Sequence, residues 1–222
     1  VNQVNSMFNG RPETARLLLV LGASGSGKSS LVRAGLLPVF NAERYVGQAI
    51  ESVLEQDLTD FEFVIVDDGS SDASRSIVER YARLDRRIRL QSRPNQGIVK
   101  TRNEALALSR GRFMAVMDSD DVCVPHRLSR QTAFLEEHPD CVAVGSGVLL
   151  IDSEGDALRE LAGGRPHEEI DAINLSGTRG AGICHPTMMF RTHVLRAVGA
   201  YREQCETAED IDVYLRLAEQ GR

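Results

Sequence analysis

The chain has 222 residues, with 26 Lys and Arg against 32 Asp and Glu, which gives a formal net charge of −6. Its 42% hydrophobic and 26% charged residues are ordinary for a globular protein, and the length suffices for one large α/β domain. The acidic balance argues against a nucleic-acid partner, because counterion release on phosphates needs clustered Lys and Arg.

No apolar run reaches the roughly 18 residues that a membrane-spanning helix requires. The first residues lack the basic-then-apolar pattern of a secretory leader. Cys123, Cys141, Cys184 and Cys205 are scattered with no Cys-x-x-Cys pair, so neither disulfides nor a zinc site is indicated. The expectation is a soluble, cytoplasmic chain; any peripheral attachment to a membrane is not encoded here.

In chain order, residues 1–16 are polar and read as a flexible lead-in. Leu17–Leu21 is a short apolar run typical of a strand buried on both faces. Ser30–Leu37 looks helical up to Pro38. Tyr45, Val46, Ala49, Ile50, Val53 and Leu54 then share one helical face. Phe61–Val66 reads as a strand, Ile77–Leu84 as a helix, and Ile88–Leu90 as a short strand. Ile98–Ser109 reads as a helix after Gly97, Phe113–Met117 as a strand, and Leu128–Glu137 as a helix. Cys141–Ile151 supplies one or two strands, 152–182 is mostly loop, Met188–Arg191 is a short strand, and Ala208–Gln220 is a helix. Strands alternating with helices predict an α/β fold with a mostly parallel sheet flanked by helices. Ligands in such sheets bind at the carboxyl ends of the strands. The acidic runs Asp67-Asp68 and Asp118–Asp121 both fall there.

Two signals stand out. The first is Gly22-Ala23-Ser24-Gly25-Ser26-Gly27-Lys28-Ser29, a full G-x-x-x-x-G-K-S match between a strand and a helix. Gly22, Gly25 and Gly27 would let backbone N–H groups surround phosphate, Lys28 would reach its outer oxygens, and Ser29 could hold Mg²⁺. With Leu31–Pro38 behind it, Leu17–Pro38 resembles the opening of STAND-type P-loop ATPases. That resemblance implies an ATP- or GTP-binding protein, with Asp67 as a candidate acid for the metal and water.

The second signal runs from Pro38 to the end. Pro38-Val39-Phe40-Asn41-Ala42-Glu43, Val66–Asp72, Asn95-Gln96-Gly97, Thr101-Arg102-Asn103 and Met117–Asp121 come in order. His185–Arg191 and Glu209-Asp210-Ile211-Asp212 follow. This series resembles the family 2 glycosyltransferases of the GT-A fold over roughly residues 38–222.

The chemistry agrees with that resemblance. A nucleotide-diphosphate sugar leaves behind a diphosphate, whose departure a divalent cation (Mg²⁺ or Mn²⁺) stabilises. Two Asp spaced by one residue at a strand end supply hard oxygen ligands and leave positions for phosphate. The resemblance implies that Asp120 holds the metal and that Asp118 lies near metal and ribose. It places Asp67 or Asp68 on the base or ribose, Arg102 with the nucleotide, and Pro38, Phe40, Asn41, Glu43 and His185 along the donor and acceptor sides. Asp210 is the family's position for the base that takes the acceptor's proton, with Glu209 chemically equivalent beside it. The implied partners are a nucleotide-diphosphate sugar and a glycan, lipid-linked or other hydroxyl acceptor, in an inverting transfer.

The chain departs from the family at its start. Pro38 follows Gly35-Leu36-Leu37 where a Val/Ile strand is expected, so the division is 17–37 as a P-loop-like segment and 38–222 as the transferase-like domain. Leu17–Leu21 is the candidate for the vacant first strand. A P-loop nucleotide-binding protein and an inactive fusion product stand as the competing readings.

Overall fold

A computed structural model describes residues 17–22, 42–152, 155–161, 163, 165–176 and 183–222. The strands are β1 (Leu17–Gly22), β2 (Phe61–Asp68), β3 (Ile88–Arg93), β4 (Phe113–Asp118), β5 (Ala143–Val144), β6 (Val148–Ile151), β7 (Ala157–Leu161) and β8 (Met189–Arg191). The helices are α1 (Val46–Leu54), α2 (Ser74–Leu84), α3 (Ile98–Leu108), α4 (Arg127–Glu137), α5 (His167–Leu175), α6 (Thr192–Ala197) and α7 (Glu209–Ala218).

Six strands form one sheet in the order β3-β2-β1-β4-β8-β5. The first four run parallel, and β8 pairs antiparallel with both β4 and β5. The central place belongs to β1, whose Leu17 aligns with Phe61 on one side and Phe113 on the other. The apolar run ahead of the glycine-rich motif therefore fills the vacant strand.

Sequence alternation explains the two cores. Phe61, Phe63 and Ile65 of β2 and Phe113, Ala115 and Met117 of β4 face α1, α2 and α4 in one cluster. Their neighbours Val64, Val66, Met114 and Val116 face α3, α6 and α7 in another. Every residue of β2 is buried, the expected state for a parallel strand covered on both faces. Glu62 fits that setting because Arg89 Nη1 and Arg110 Nε lie 2.9 and 3.0 Å from its Oε2.

The segment 152–182 corrects one expectation. It carries β7, which pairs antiparallel with β6 in a separate hairpin, and it carries α5. All five β7 residues are exposed, so no burial pattern marks Ala157–Leu161 as a strand. The short helix α6, between β8 and the turn at Gly199, is likewise unmarked in the sequence pattern. The helical expectation for Ser30–Leu37 lies outside the described residues.

Candidate active site

Three parallel strands end at one edge. Gly22, last in β1, aligns with Val66 on β2 and with Asp118 on β4. Asp67 and Asp68 are one and two residues further along β2, so the acids of both strands stand on the same rim.

The β2 acids are held by the scaffold. Asp67 accepts hydrogen bonds from the Ser70 N–H at 3.0 Å and the Ser92 hydroxyl at 2.7 Å. Asp68 accepts from the N–H groups of Gln96 at 2.8 Å and Gly97 at 3.0 Å, just ahead of α3, and pairs with Arg93. A carboxylate there satisfies donors that a helix start otherwise leaves bare. Gly69 is required between these acids and the next turn: its φ is +79°, and a Cβ would stand 2.7 Å from the Asn95 nitrogen. Glu43 plays a similar part at α2, accepting from the Ala73 N–H at 2.8 Å, while Asp72 accepts from the Glu43 N–H at 3.3 Å.

The acids after β4 are arranged differently. Asp118 is half-buried, whereas Asp120 and Asp121 keep exposed surface. Partial burial, followed by the charges of Asp118 and Asp120, pushes Asp121 from an ordinary 3.8 up to about 6. Three carboxylates crowd each other here, and a cation would relieve that repulsion. Among the described residues no group of three or more His, Cys, Asp or Glu side chains has the geometry of a complete metal cage. Asp118 and Asp120 carry carboxylate oxygens, the donor type that a hard cation takes.

The first turn of α7 closes the other side. Glu209 is fully buried, and its Oε1 lies 2.5 Å from Arg102 Nη1 of α3. Asp210, the next residue, is half-buried. Burial disfavours charge on Arg102, but Tyr201, Asp118 and Glu209 outweigh it and raise the guanidinium pKa. Burial pushes the Cys184 thiol up, with the charges of Asp121 and Asp118 next and Asp210 adding to them against Arg127.

His185 is not on an open wall. It is 5% exposed, with Nδ1 2.6 Å from the Tyr214 hydroxyl and Nε2 3.1 Å from that of Tyr201. Asp118 and Asp120 thus stand at the end of β4, Asp210 at the start of α7 beside the buried Arg102–Glu209 pair, and His185 is buried between two tyrosines. Tyr201, Tyr214, Ser92 and Arg93 are the partners that sequence reasoning missed. Pro38, Phe40, Asn41, Gly25, Gly27, Lys28 and Ser29 lie outside the described residues.

Comparison with known proteins gives the family. A family model described as Glycosyl transferase family 2 matches residues 36–199. The chain belongs to glycosyl transferase family 2. EpsE of Bacillus subtilis (strain 168), named as a glycosyltransferase, is 33% identical over 84% of this chain and 66% of its own length. TarS of Staphylococcus aureus (strain Mu50), a poly(ribitol-phosphate) beta-N-acetylglucosaminyltransferase, is 32% identical over 79% of this chain and 30% of its own. The chain therefore spans two-thirds or less of these relatives. The fold is that of the solved S. aureus TarS 1–349 in complex with UDP, with a TM-score of 0.63 at 23% identity, over 93% of this chain and 56% of that one. The mannosyltransferase PcManGT of Pyrobaculum calidifontis, solved with GDP-Man and Mn²⁺, gives a TM-score of 0.62 at 17% identity, over 93% of this chain and 53% of that one.

The family match starts at residue 36, whereas the central strand of this family 2 sheet is Leu17–Gly22. Family and fold agree with the resemblance to family 2 glycosyltransferases of the GT-A fold; nothing in these comparisons supports the STAND-type P-loop resemblance of Leu17–Pro38. No helix among the described residues is long and apolar enough to cross a membrane.

Proposed function

We propose that this family 2 chain transfers a sugar from a nucleotide-diphosphate sugar to an acceptor hydroxyl, with inversion, in the cleft between the end of β4 and the start of α7. The observation that carries the reading is the hydrogen-bonded link between the two elements: the Met188 carbonyl accepts the Val116 N–H of β4 at 2.9 Å, and His185 of the same turn lies 2.6 Å from the Tyr214 hydroxyl of α7.

Asp118 and Asp120 would hold a divalent cation together with the donor's diphosphate. Once bound, the cation supplies charge neutralisation for the leaving group. Asp210 accepts the proton of the acceptor hydroxyl. The acceptor oxygen then forms its bond to the anomeric carbon as the bond from that carbon to the diphosphate oxygen breaks. The electron pair leaves with the nucleoside diphosphate, and a single displacement inverts the anomeric configuration. Asp67, on the β2 rim, is the acid we assign to the nucleotide's base or ribose. The relatives named above bind UDP or GDP-mannose in their solved forms, which supports a nucleoside diphosphate donor. A nucleotide-activated donor also makes the cytoplasm the expected location.

One observation keeps a second reading in view. Gly22 begins the glycine-rich motif and stands at the same rim, beside Asp118. A P-loop reading would have ATP or GTP bound there through Lys28 and Ser29. Calorimetric titration with UDP-, GDP- and dTDP-sugars and with ATP, each with and without Mn²⁺ or Mg²⁺, separates the two. The transferase reading requires metal-dependent binding of a nucleotide-sugar that survives Lys28→Ala. Binding of ATP alone, lost in Lys28→Ala, would reject it.

A further inference from the structure

The resemblance gives Arg102 to the nucleotide and His185 to the donor and acceptor sides. Their observed partners are on α7 and on the turn before it. Arg102 pairs with Glu209 at the first residue of α7. Asn103 clamps the backbone of Tyr201 on both sides: its Nδ2 donates to the Tyr201 carbonyl at 2.8 Å, and its Oδ1 accepts the Tyr201 N–H at 3.0 Å. Arg102 also covers the Tyr201 ring, its guanidinium carbon 5.5 Å from the ring centre. Tyr201 and Tyr214 then take the two ring nitrogens of His185.

Tyr214 sits four residues beyond Asp210 on α7, so the two share a helix face one turn apart. The helix start is therefore gripped at two levels on either side of Asp210. Glu209 is held by Arg102, and Tyr214 is held by His185. The turn that delivers Tyr201 is itself strained. Ala200 has φ of +55°, a left-handed conformation that non-glycine residues seldom adopt. Arg216 of α7 donates to the Ala200 carbonyl at 2.7 Å and to the Val198 carbonyl at 2.6 Å, holding that turn in place. Strain of this kind persists where surrounding contacts over-determine it, and it gathers at sites whose geometry matters. Both hydroxyls stay protonated, because burial first, and the Asp210 charge among the further causes, raise the tyrosine pKa values. Each phenol can therefore serve as a fixed hydrogen-bonding partner of the imidazole.

We infer that His185, Tyr201 and Tyr214 are positioning residues which, with Arg102 and Asn103, form a closed buried circuit that aims the Asp210 carboxylate at the acceptor hydroxyl. The inference rests on the reading of Asp210 as the base. The circuit makes no demand on the donor, so its loss should appear in turnover and not in donor affinity. It also ties the two sides of the cleft together. His185 belongs to the turn whose Met188 carbonyl accepts the Val116 N–H of β4 at 2.9 Å, and it reaches α7 through Tyr214.

The test uses Tyr214→Phe and Tyr201→Phe, which delete one hydroxyl each while keeping the ring in its apolar packing. Turnover is read as nucleoside diphosphate release from a panel of UDP-, GDP- and dTDP-sugars with Mn²⁺, and donor Kd by calorimetry. Each variant should lower kcat about tenfold to a hundredfold, the order expected for a misplaced catalytic group, with donor Kd unchanged. Adding Tyr214→Phe to Asp210→Asn should leave the residual rate of Asp210→Asn as it was, since the hydroxyl acts through that carboxylate. A further fall in the double variant, or wild-type kcat in both Phe variants, overturns the circuit. Full turnover in Asp210→Asn overturns the reading of the base instead, and with it the purpose of the circuit. Independently of any donor, the His185 ring ¹⁵N resonances should move in each variant, Nδ1 most in Tyr214→Phe and Nε2 most in Tyr201→Phe. A His185 spectrum unchanged in either variant also overturns the proposal.

Discussion

Arg102 Nη1 stands 2.5 Å from Glu209 Oε1 across the α3–α7 interface, with both side chains almost wholly cut off from water. That contact separates two neighbouring acids of the same chemical type. Glu209 is spent on the scaffold, whereas Asp210 is half-buried and its Oδ1 accepts the Ile211 N–H at 2.9 Å. Breaking a buried pair by removing one partner strands a charge, at a cost of about 3–5 kcal/mol. Arg102→Met should therefore lower unfolding stability by that order. Replacing both partners by apolar residues, Arg102→Met with Glu209→Leu, should recover most of the loss. Urea denaturation of the two variants measures this, and equal stability for Arg102→Met and wild type would contradict it.

The crowding at Asp121 has a defined pH signature. Its pKa in the folded chain is about 6 against an ordinary 3.8, so the folded state holds this proton more tightly than the unfolded one. The associated stability is fully present below about pH 4 and is lost as pH rises through about 6. Asp121→Asn removes the penalty, so the variant should gain on wild type as pH rises from 4 to 7. Pairs of denaturation curves across that range check it; a constant difference between the two proteins would contradict it.

Much of this was legible from residues alone, for physical reasons. The buried strands β2 and β4 announce themselves because both of their faces are apolar up to the acids that end them. The helix α7 is legible because Val213, Tyr214 and Leu217 recur at its period. The hairpin strand Ala157–Leu161 is not, since a strand exposed on both sides leaves no alternation to read. For the candidate site, motif order singled out Asp118, Asp120, Arg102 and Asp210 but could not tell which side chain each would meet. Asp68 looks like a ligand-binding acid and caps α3. Arg102 looks like an anion binder and finds Glu209. His185 looks like a wall residue and bridges two tyrosines. These are long-range pairings, and a local spacing carries no trace of them.

The central place of β1 makes the segment ahead of the family match indispensable. A chain beginning at residue 36 would leave β2 and β4 without their shared neighbour and expose two ladders of unpaired backbone groups. Such a truncation should lose cooperative unfolding. Leu19→Pro, which removes a backbone donor from a central strand, should do the same in the full chain. Circular dichroism with thermal denaturation checks both, and a cooperative transition at the wild-type temperature in the truncated chain would contradict the strand's role.

On the donor side, Asp120 is exposed and takes no part in either core. Asp120→Ala should therefore leave thermal stability within about 0.5 kcal/mol of wild type, as for a surface position. It should abolish metal-dependent binding of the nucleotide-sugar. Calorimetric titration with Mn²⁺ present and absent reads this directly, and an unchanged Mn²⁺ dependence would remove the assignment.

The central claim is that Asp210 is the base, and one comparison of turnover tests it most directly. With a nucleotide-sugar the wild-type chain turns over, kcat and donor Kd are measured side by side for Asp210→Asn and Glu209→Gln. The Asp210→Asn change keeps size and hydrogen bonding but removes basicity. It should lower kcat by a factor on the order of 10² to 10⁴, the share carried by general base catalysis, with donor Kd unchanged. Glu209→Gln should act chiefly through stability and the aim of α7, retaining more turnover than Asp210→Asn. Normal turnover in Asp210→Asn with none in Glu209→Gln would give the role to Glu209. Normal turnover in both would contradict the mechanism.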